Sequence, residues 1–237
     1  MQFDVIIAPT IRDLFVEKIV AMVLAGKLLA GDRLPSEREL GEQMRVSKTV
    51  VHAGLKDLER MGFVYVNGRQ GTFVANYAEN GTFETLATIL KYNGSRLDRE
   101  TTKSLLDMRL AIEGQAIRMF AKSHTKEDIA TLWHMISNIR GYVTRQEPID
   151  HTRMAHMLFR FHRFICLRSG NMFFPVLMNA FRDIGILLWE ASIKILGSEK
   201  NIEHLERFTS LLEEGKGEET VQALSDMFDA CLSLAYK

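Results

Sequence analysis

Residues 30–74 read AGDRLPSERELGEQMRVSKTVVHAGLKDLERMGFVYVNGRQGTFV. Ser36 followed three residues later by Glu39 is a capping box, which predicts a helix from Glu37. Leu40 and Met44 lie four apart on one face of that helix, which stops near Arg45-Val46. Ser47 is a good N-cap for a second helix along which Val51, Leu55 and Leu58 recur at helical spacing. Gly62 suits the left-handed position just past its end. Beyond it, residues 63–66 and 72–74 are β-rich runs around a loop with two glycines, the pattern of a hairpin.

Two helices joined by a few residues, the second basic and polar at its start, form a helix-turn-helix pattern. In that motif the second helix enters the DNA major groove and its first residues meet base edges. Lys48, Thr49 and His52 occupy those exposed positions. The hairpin then becomes a wing with Arg69 near its tip, placed to enter a minor groove or follow a phosphate. The same pattern also suits an αα-hairpin used only for packing.

This stretch resembles the DNA-binding domain of GntR-type winged helix-turn-helix regulators. The resemblance rests on Gly31 to Leu40 (GDRLPSEREL), Val46 to Leu55 (VSKTVVHAGL) and Gly71 to Val74 (GTFV). It implies DNA contacts by Arg38, Ser47, Lys48, Thr49, His52, Arg69 and Gly71. Two of these depart from the family pattern: Lys48 and His52 stand where arginines are usual. Lysine is a point charge without the planar fork that grips guanine, so the operator should differ from the family's usual one.

The whole chain has 237 residues, 46 % of them hydrophobic and 25 % charged, which suits a globular protein of one or two domains. Its formal net charge is zero, and residues 1–75 carry ten Lys and Arg against nine Asp and Glu. DNA affinity must therefore come from local placement of charge rather than a basic excess. Cys166 and Cys231 sit in apolar helical patterns and read as buried free thiols. The first residues lack the basic start and apolar core of a signal peptide, and no apolar run approaches the ~18 residues of a membrane span. A cytoplasmic protein with no membrane partner is expected.

A supporting helix is predicted over 10–25, from a stripe that includes Ile11, Phe15, Ile19 and Val23. The winged domain then takes residues 1–76 and a polar linker 77–82. Residues 83–237 read as an antiparallel all-helical bundle, so the fold class is mainly α with a small β-hairpin wing. The bundle helices are expected over 83–92, 101–122, from Thr125 to the break at 146–148, 150–168, 173–196, 199–214 and 218–236.

This half resembles the effector domain (FCD type) of the FadR-like GntR subgroup, through Arg109 and Glu113, Phe161-His162 and Ser169-Gly170-Asn171. The resemblance implies a small-molecule effector, with Arg109, His162 and His204 as candidate contacts. Arg109 reads either as a fork for a ligand carboxylate or as half of an i, i+4 ion pair with Glu113. Many relatives hold a divalent metal through an Asp and three histidines. Here His162 and His204 match two of those ligands, Leu158 replaces the Asp, and Asp229 is the candidate replacement for the last histidine. A zinc, nickel or manganese ion and a metal-free pocket therefore both stand as readings.

The resulting expectation is a transcriptional regulator, a repressor, with no catalytic residues. It would bind an inverted-repeat operator as a homodimer and respond to a metabolite, with a carboxylate as the candidate class. Two rivals stand beside it: a helical-bundle metalloprotein or enzyme with an appended nucleic-acid domain, and a regulator that has lost its effector response.

Overall fold

The computed structural model describes residues 8–93 and 98–236. The chain divides into two compact units, Met1–Gly94 and Ser95–Lys237. The expected helix stop at Gly94 and the leader-free start over residues 1–7 lie outside the described residues.

The first unit begins with helix α1 (Ile11–Leu24), opened by a Thr10/Asp13 capping box. Helix α2 (Glu37–Met44) starts at the Ser36/Glu39 box and ends on Arg45, a non-glycine residue in the left-handed region at φ 54°. That conformation turns the chain sharply, and the Val46 N–H donates back to the Gly41 carbonyl at 3.0 Å. A Cβ on Gly41 would stand 3.0 Å from the Val46 carbonyl oxygen, so the tight turn favours glycine there. Helix α3 (Lys48–Arg60) follows, with the Ser47 hydroxyl accepting from the Val50 N–H. Strands β1 (Val64–Asn67) and β2 (Gly71–Val74) pair antiparallel, Val64 opposite Val74, across a single 3₁₀ turn at 68–70. Phe15, Ile19, Val51, Leu55, Leu58 and Phe63 form the centre of the core.

The boundary differs from the sequence expectation. Residues 77–82 are not simply a linker, because Tyr77–Asn80 forms a short helix, α4. Helix α5 (Phe83–Asn93), expected to open the second domain, belongs to the first unit. The Thr85 hydroxyl donates to the Met61 carbonyl, Arg60 pairs with Glu84, and Ile89 packs on the winged-helix core. These ties are long-range, so helical periodicity alone gave no sign of them.

The second unit holds seven helices among the described residues: α6 (Arg99–Ser123), α7 (Lys126–Arg145), α8 (His151–Arg168), α9 (Phe174–Ala180), α10 (Arg182–Leu196), α11 (Ser198–Glu213) and α12 (Gly217–Ala235). Helix α6 packs along α12 and α8, α10 lies on α8, and α11 bridges α7 and α12. The single helix expected over 173–196 is two, parted at Phe181. No Gly or Pro marks this break. The Phe181 N–H closes α9 on Leu177, and its carbonyl accepts from Gly185 in α10. Among the described residues, no helix is long and apolar enough to cross a membrane.

Candidate nucleic-acid interface and effector site

In the first unit, Val51, Leu55 and Leu58 anchor one side of α3 in the core, which turns Lys48, Thr49, His52 and Lys56 to solvent. The start of α3 presents unpaired backbone N–H groups and the positive end of the helix dipole along with these side chains, an arrangement suited to phosphate. Arg38 is exposed on α2 and pairs with Glu42 at 3.0 Å. Ser47 is exposed but its hydroxyl is occupied in capping. Arg69 is exposed at the wing turn, and Gly71 has a φ of 114° that side-chain-bearing residues rarely adopt. Tyr65 stacks on Phe73 with ring centroids 5.6 Å apart and stiffens the wing.

Two participants were not singled out from the sequence. Arg33, exposed, lies against Gly71, where an added Cβ would approach its Nε to 3.2 Å. Its place in the GDRL run was the available signal. Glu37 reaches from α2 to His52, with Oε1 2.7 Å from Nδ1. His52 is therefore steered by a carboxylate, a pairing of residues 15 apart that helical spacing within one element does not reveal.

In the second unit, Arg109 on α6 is 7 % exposed, and Glu113 one turn on is 2 % exposed. The Arg109 Nε donates to Glu113 Oε1 at 2.7 Å. From α8, His162 places Nδ1 3.0 Å from Glu113 Oε2, an ion-pair distance. Burial alone pushes the Glu113 carboxyl up. The charge of Arg109 and the hydrogen bond and charge of His162 outweigh it and hold the group down to about 2. The Arg109 guanidinium carbon lies 4.9 Å from the Trp189 ring centroid and 4.8 Å from that of Phe228. His162 packs on Trp189 at 4.6 Å between centroids and also faces Phe208, which His204 contacts from α11. Burial, followed by the charges of His162 and Arg207, depresses His204 to about 3 against a weaker opposing pull from Asp226.

Several polar atoms of this neighbourhood are fully enclosed without a hydrogen-bond partner: Arg109 Nη2, His162 Nε2, Trp189 Nε1 and His204 Nε2. Native interiors satisfy most such groups, so their concentration on neighbouring residues sets this part of the bundle apart. An apolar cavity of about 130 Å³ opens beside them between α6, α10 and α12, with Leu106, Arg109, Trp189, Ser192, Phe228 and Cys231 in its wall. Both cysteines are free; Cys166 is buried and Cys231 half-buried, with burial raising each thiol.

The two expected roles of Arg109 are thus not exclusive, since one nitrogen makes the ion pair and another lacks a partner. The metal set does not assemble. Asp229 is exposed on α12, Leu158 is fully buried at the expected carboxylate position, and Glu113 engages His162. Among the described residues no three His, Cys, Asp or Glu side chains are grouped to hold a metal ion. The residues present do not fit the family's metal.

Comparison with known proteins agrees with both halves. Residues 14–74 match "Bacterial regulatory proteins, gntR family", and residues 104–230, more than half the chain, match the FCD domain. The chain is 31 % identical over 166 residues to the HTH-type transcriptional regulator Mce2R of Mycobacterium tuberculosis, covering 70 % of this chain and 66 % of that one. It is 24 % identical over 172 residues to a fatty acid metabolism regulator protein of Pectobacterium atrosepticum, covering 72 % and 67 %. The match therefore spans just under two thirds of the length of Mce2R. A solved structure described as "Lar controls the expression of the Listeria monocytogenes agr system and mediates virulence" shares the fold, with a TM-score of 0.56, 16 % identity and coverage of 97 % and 98 %.

Proposed function

Because the chain belongs to the GntR family of bacterial regulatory proteins with an FCD domain, we propose that it is a transcriptional regulator, a repressor, whose DNA affinity a small molecule adjusts. The observation that carries this reading is the exposed stripe Lys48, Thr49, His52 and Lys56 on α3, flanked by Arg38 and the wing residue Arg69. Lys48, Thr49 and His52 meet base edges, Arg38 and Arg69 meet phosphates, and Ser47 and Gly71 fix the backbone that presents them. The effector occupies the second unit, in contact with Arg109 and near His162 and His204, without a metal. It is a carboxylate, because Arg109 supplies a buried guanidinium nitrogen that has no other partner.

The regulator acts as a homodimer on an inverted repeat in the cytoplasm. Leu167, Met172, Phe173 and Val176, close in sequence around the turn from α8 to α9, are all exposed apolar side chains, and a second copy is a suitable cover for them. The effector shifts DNA affinity only as far as it favours one arrangement of the winged units over another. It acts on binding rather than on catalysis.

The test is a fluorescence-anisotropy titration of the full chain on duplex DNA across a salt series. Binding should weaken steeply with salt, and Arg38→Ala and Arg69→Ala should each reduce the logarithmic salt slope by about one. No binding to duplex DNA at low salt, or slopes identical to wild type in both variants, would refute the proposed interface.

A further inference from the structure

We infer that the second unit carries an anion site between α8, α9 and α10 that takes an oligophosphate, a ligand with two or more linked phosphate groups. A groove of about 500 Å³ there is lined by His156, Phe159, Arg160, Arg163, Asn179 and Arg182. Three guanidiniums face it and no carboxylate does. Among the described residues, no acidic side chain pairs with any of these three arginines. Arg109, Arg118, Arg140 and Arg168 of the same unit, by contrast, each meet a carboxylate. The groove shares no lining residue with the cavity beside Arg109, so the inference stands apart from the effector reading.

The fold gathers these cations and holds them. His156, Arg160 and Arg163 follow one another at helical spacing along one side of α8. The break at Phe181 brings Asn179, near the end of α9, and Arg182, the first residue of α10, to the same groove. Helix α10 is pressed close on α8, since an added Cβ on Gly185 would lie 3.1 Å from the Phe159 ring. The Arg163 Nε donates to Asn179 Oδ1 at 2.7 Å. A neutral amide orients the guanidinium without cancelling its charge, and leaves the two terminal nitrogens for a guest. Like charges on neighbouring turns repel, and a bound anion offsets that repulsion. Guanidinium forks fit phosphate oxygens bidentately, and His156 presents a ring N–H in either tautomer. Three forks exceed what the oxygens of one phosphate can fill, and the row from His156 to Arg163 spans about 10 Å of helix, which suits an extended anion. The groove volume lies within the roughly 300–1,000 Å³ of small-molecule sites. Phe159 is buried and offers no open ring face for a base to stack on, so the phosphates are what this groove recognises.

The experiment is isothermal titration calorimetry of the full chain, without DNA and at constant ionic strength, with inorganic pyrophosphate, orthophosphate and ADP as probes. Pyrophosphate should bind about tenfold more tightly than orthophosphate, or better. Arg160→Ala and Arg182→Ala change exposed side chains and should each weaken pyrophosphate about tenfold or more. Asn179→Asp should weaken it too, yet raise the melting temperature of the free protein, because the new carboxylate becomes the missing anion. The two arginine variants decide the matter if Asn179→Asp does not fold. ADP separates the sources of the phosphates. Affinity equal to that of pyrophosphate assigns the site to phosphate groups alone, a further tenfold gain assigns it to a nucleotide, and both uphold the site. No binding of pyrophosphate, equal affinity for pyrophosphate and orthophosphate, or undiminished binding in both arginine variants would each overturn it. Loss of duplex-DNA affinity in Arg160→Ala, with no pyrophosphate binding by the unsubstituted chain, would overturn it in favour of a DNA contact.

Discussion

Arg109 pairs with Glu113 through one nitrogen and keeps another without a hydrogen-bond partner. Its spacing from Glu113 made an ion pair legible in the sequence, and the structure adds that the pair is buried and that Nη2 is left over. The partner that sequence spacing could not reveal is His162, brought from another helix to the second Glu113 oxygen. His204 gives a test at this scale. Its folded value of about 3 lies below the ordinary histidine value of about 6.5, because burial disfavours the charged ring. A neutral ring depressed in this way contributes stability that is complete above pH ~6.5 and is lost progressively as pH falls below it. From pH ~7.5 to ~5 the loss amounts to about 2 kcal/mol. Glu113, held at about 2, adds its own loss only below pH ~4.5, so above that pH the change comes from His204 and not from Glu113. Urea denaturation across pH should therefore show stability falling over the upper window in the wild type and a flatter profile in His204→Gln. Identical profiles would mean that the ring is not desolvated.

At the scale of elements, caps were the most legible signals, because each is local chemistry. Ser36 with Glu39, Ser47, and Thr125 with Asp128 all cap helices as read. The breaks that went unseen have no local mark. Phe181 divides α9 from α10, where Arg163 of α8 donates to Asn179 at 2.7 Å. Helix α5 looks like the start of the bundle by period alone, yet Thr85 and Glu84 bind it to the end of α3. The crossing of α1 over α3 carries a prediction. An added Cβ on Gly54 would lie 2.3 Å from the buried Phe15 ring. Gly54→Ala should cost about 1–3 kcal/mol by overpacking, measured by chemical denaturation. Phe15→Leu in the same chain should recover part of that loss, since the two changes share one contact. A neutral Gly54→Ala would show that α1 yields without cost.

For the whole molecule, a net charge of zero supplies no overall attraction to DNA. The structure resolves this by placement: the cations of α3 and the wing face solvent, while several acidic residues are spent on capping and on pairing Arg12 and Arg38. Family resemblance extends to the helical half, but the family's metal set is incomplete there, because a buried Leu158 and an exposed Asp229 stand where Asp and His would be. The central claim is that this chain reads DNA sequence through α3 as a two-fold dimer. The most direct test is selection of bound duplexes from a random library by the full chain, repeated with Lys48→Ala. The account predicts enrichment of an inverted repeat whose half-sites lie about one helical turn apart, with enrichment lost in the variant. Recovery of no motif, or of the same motif at undiminished strength with Lys48→Ala, would contradict it.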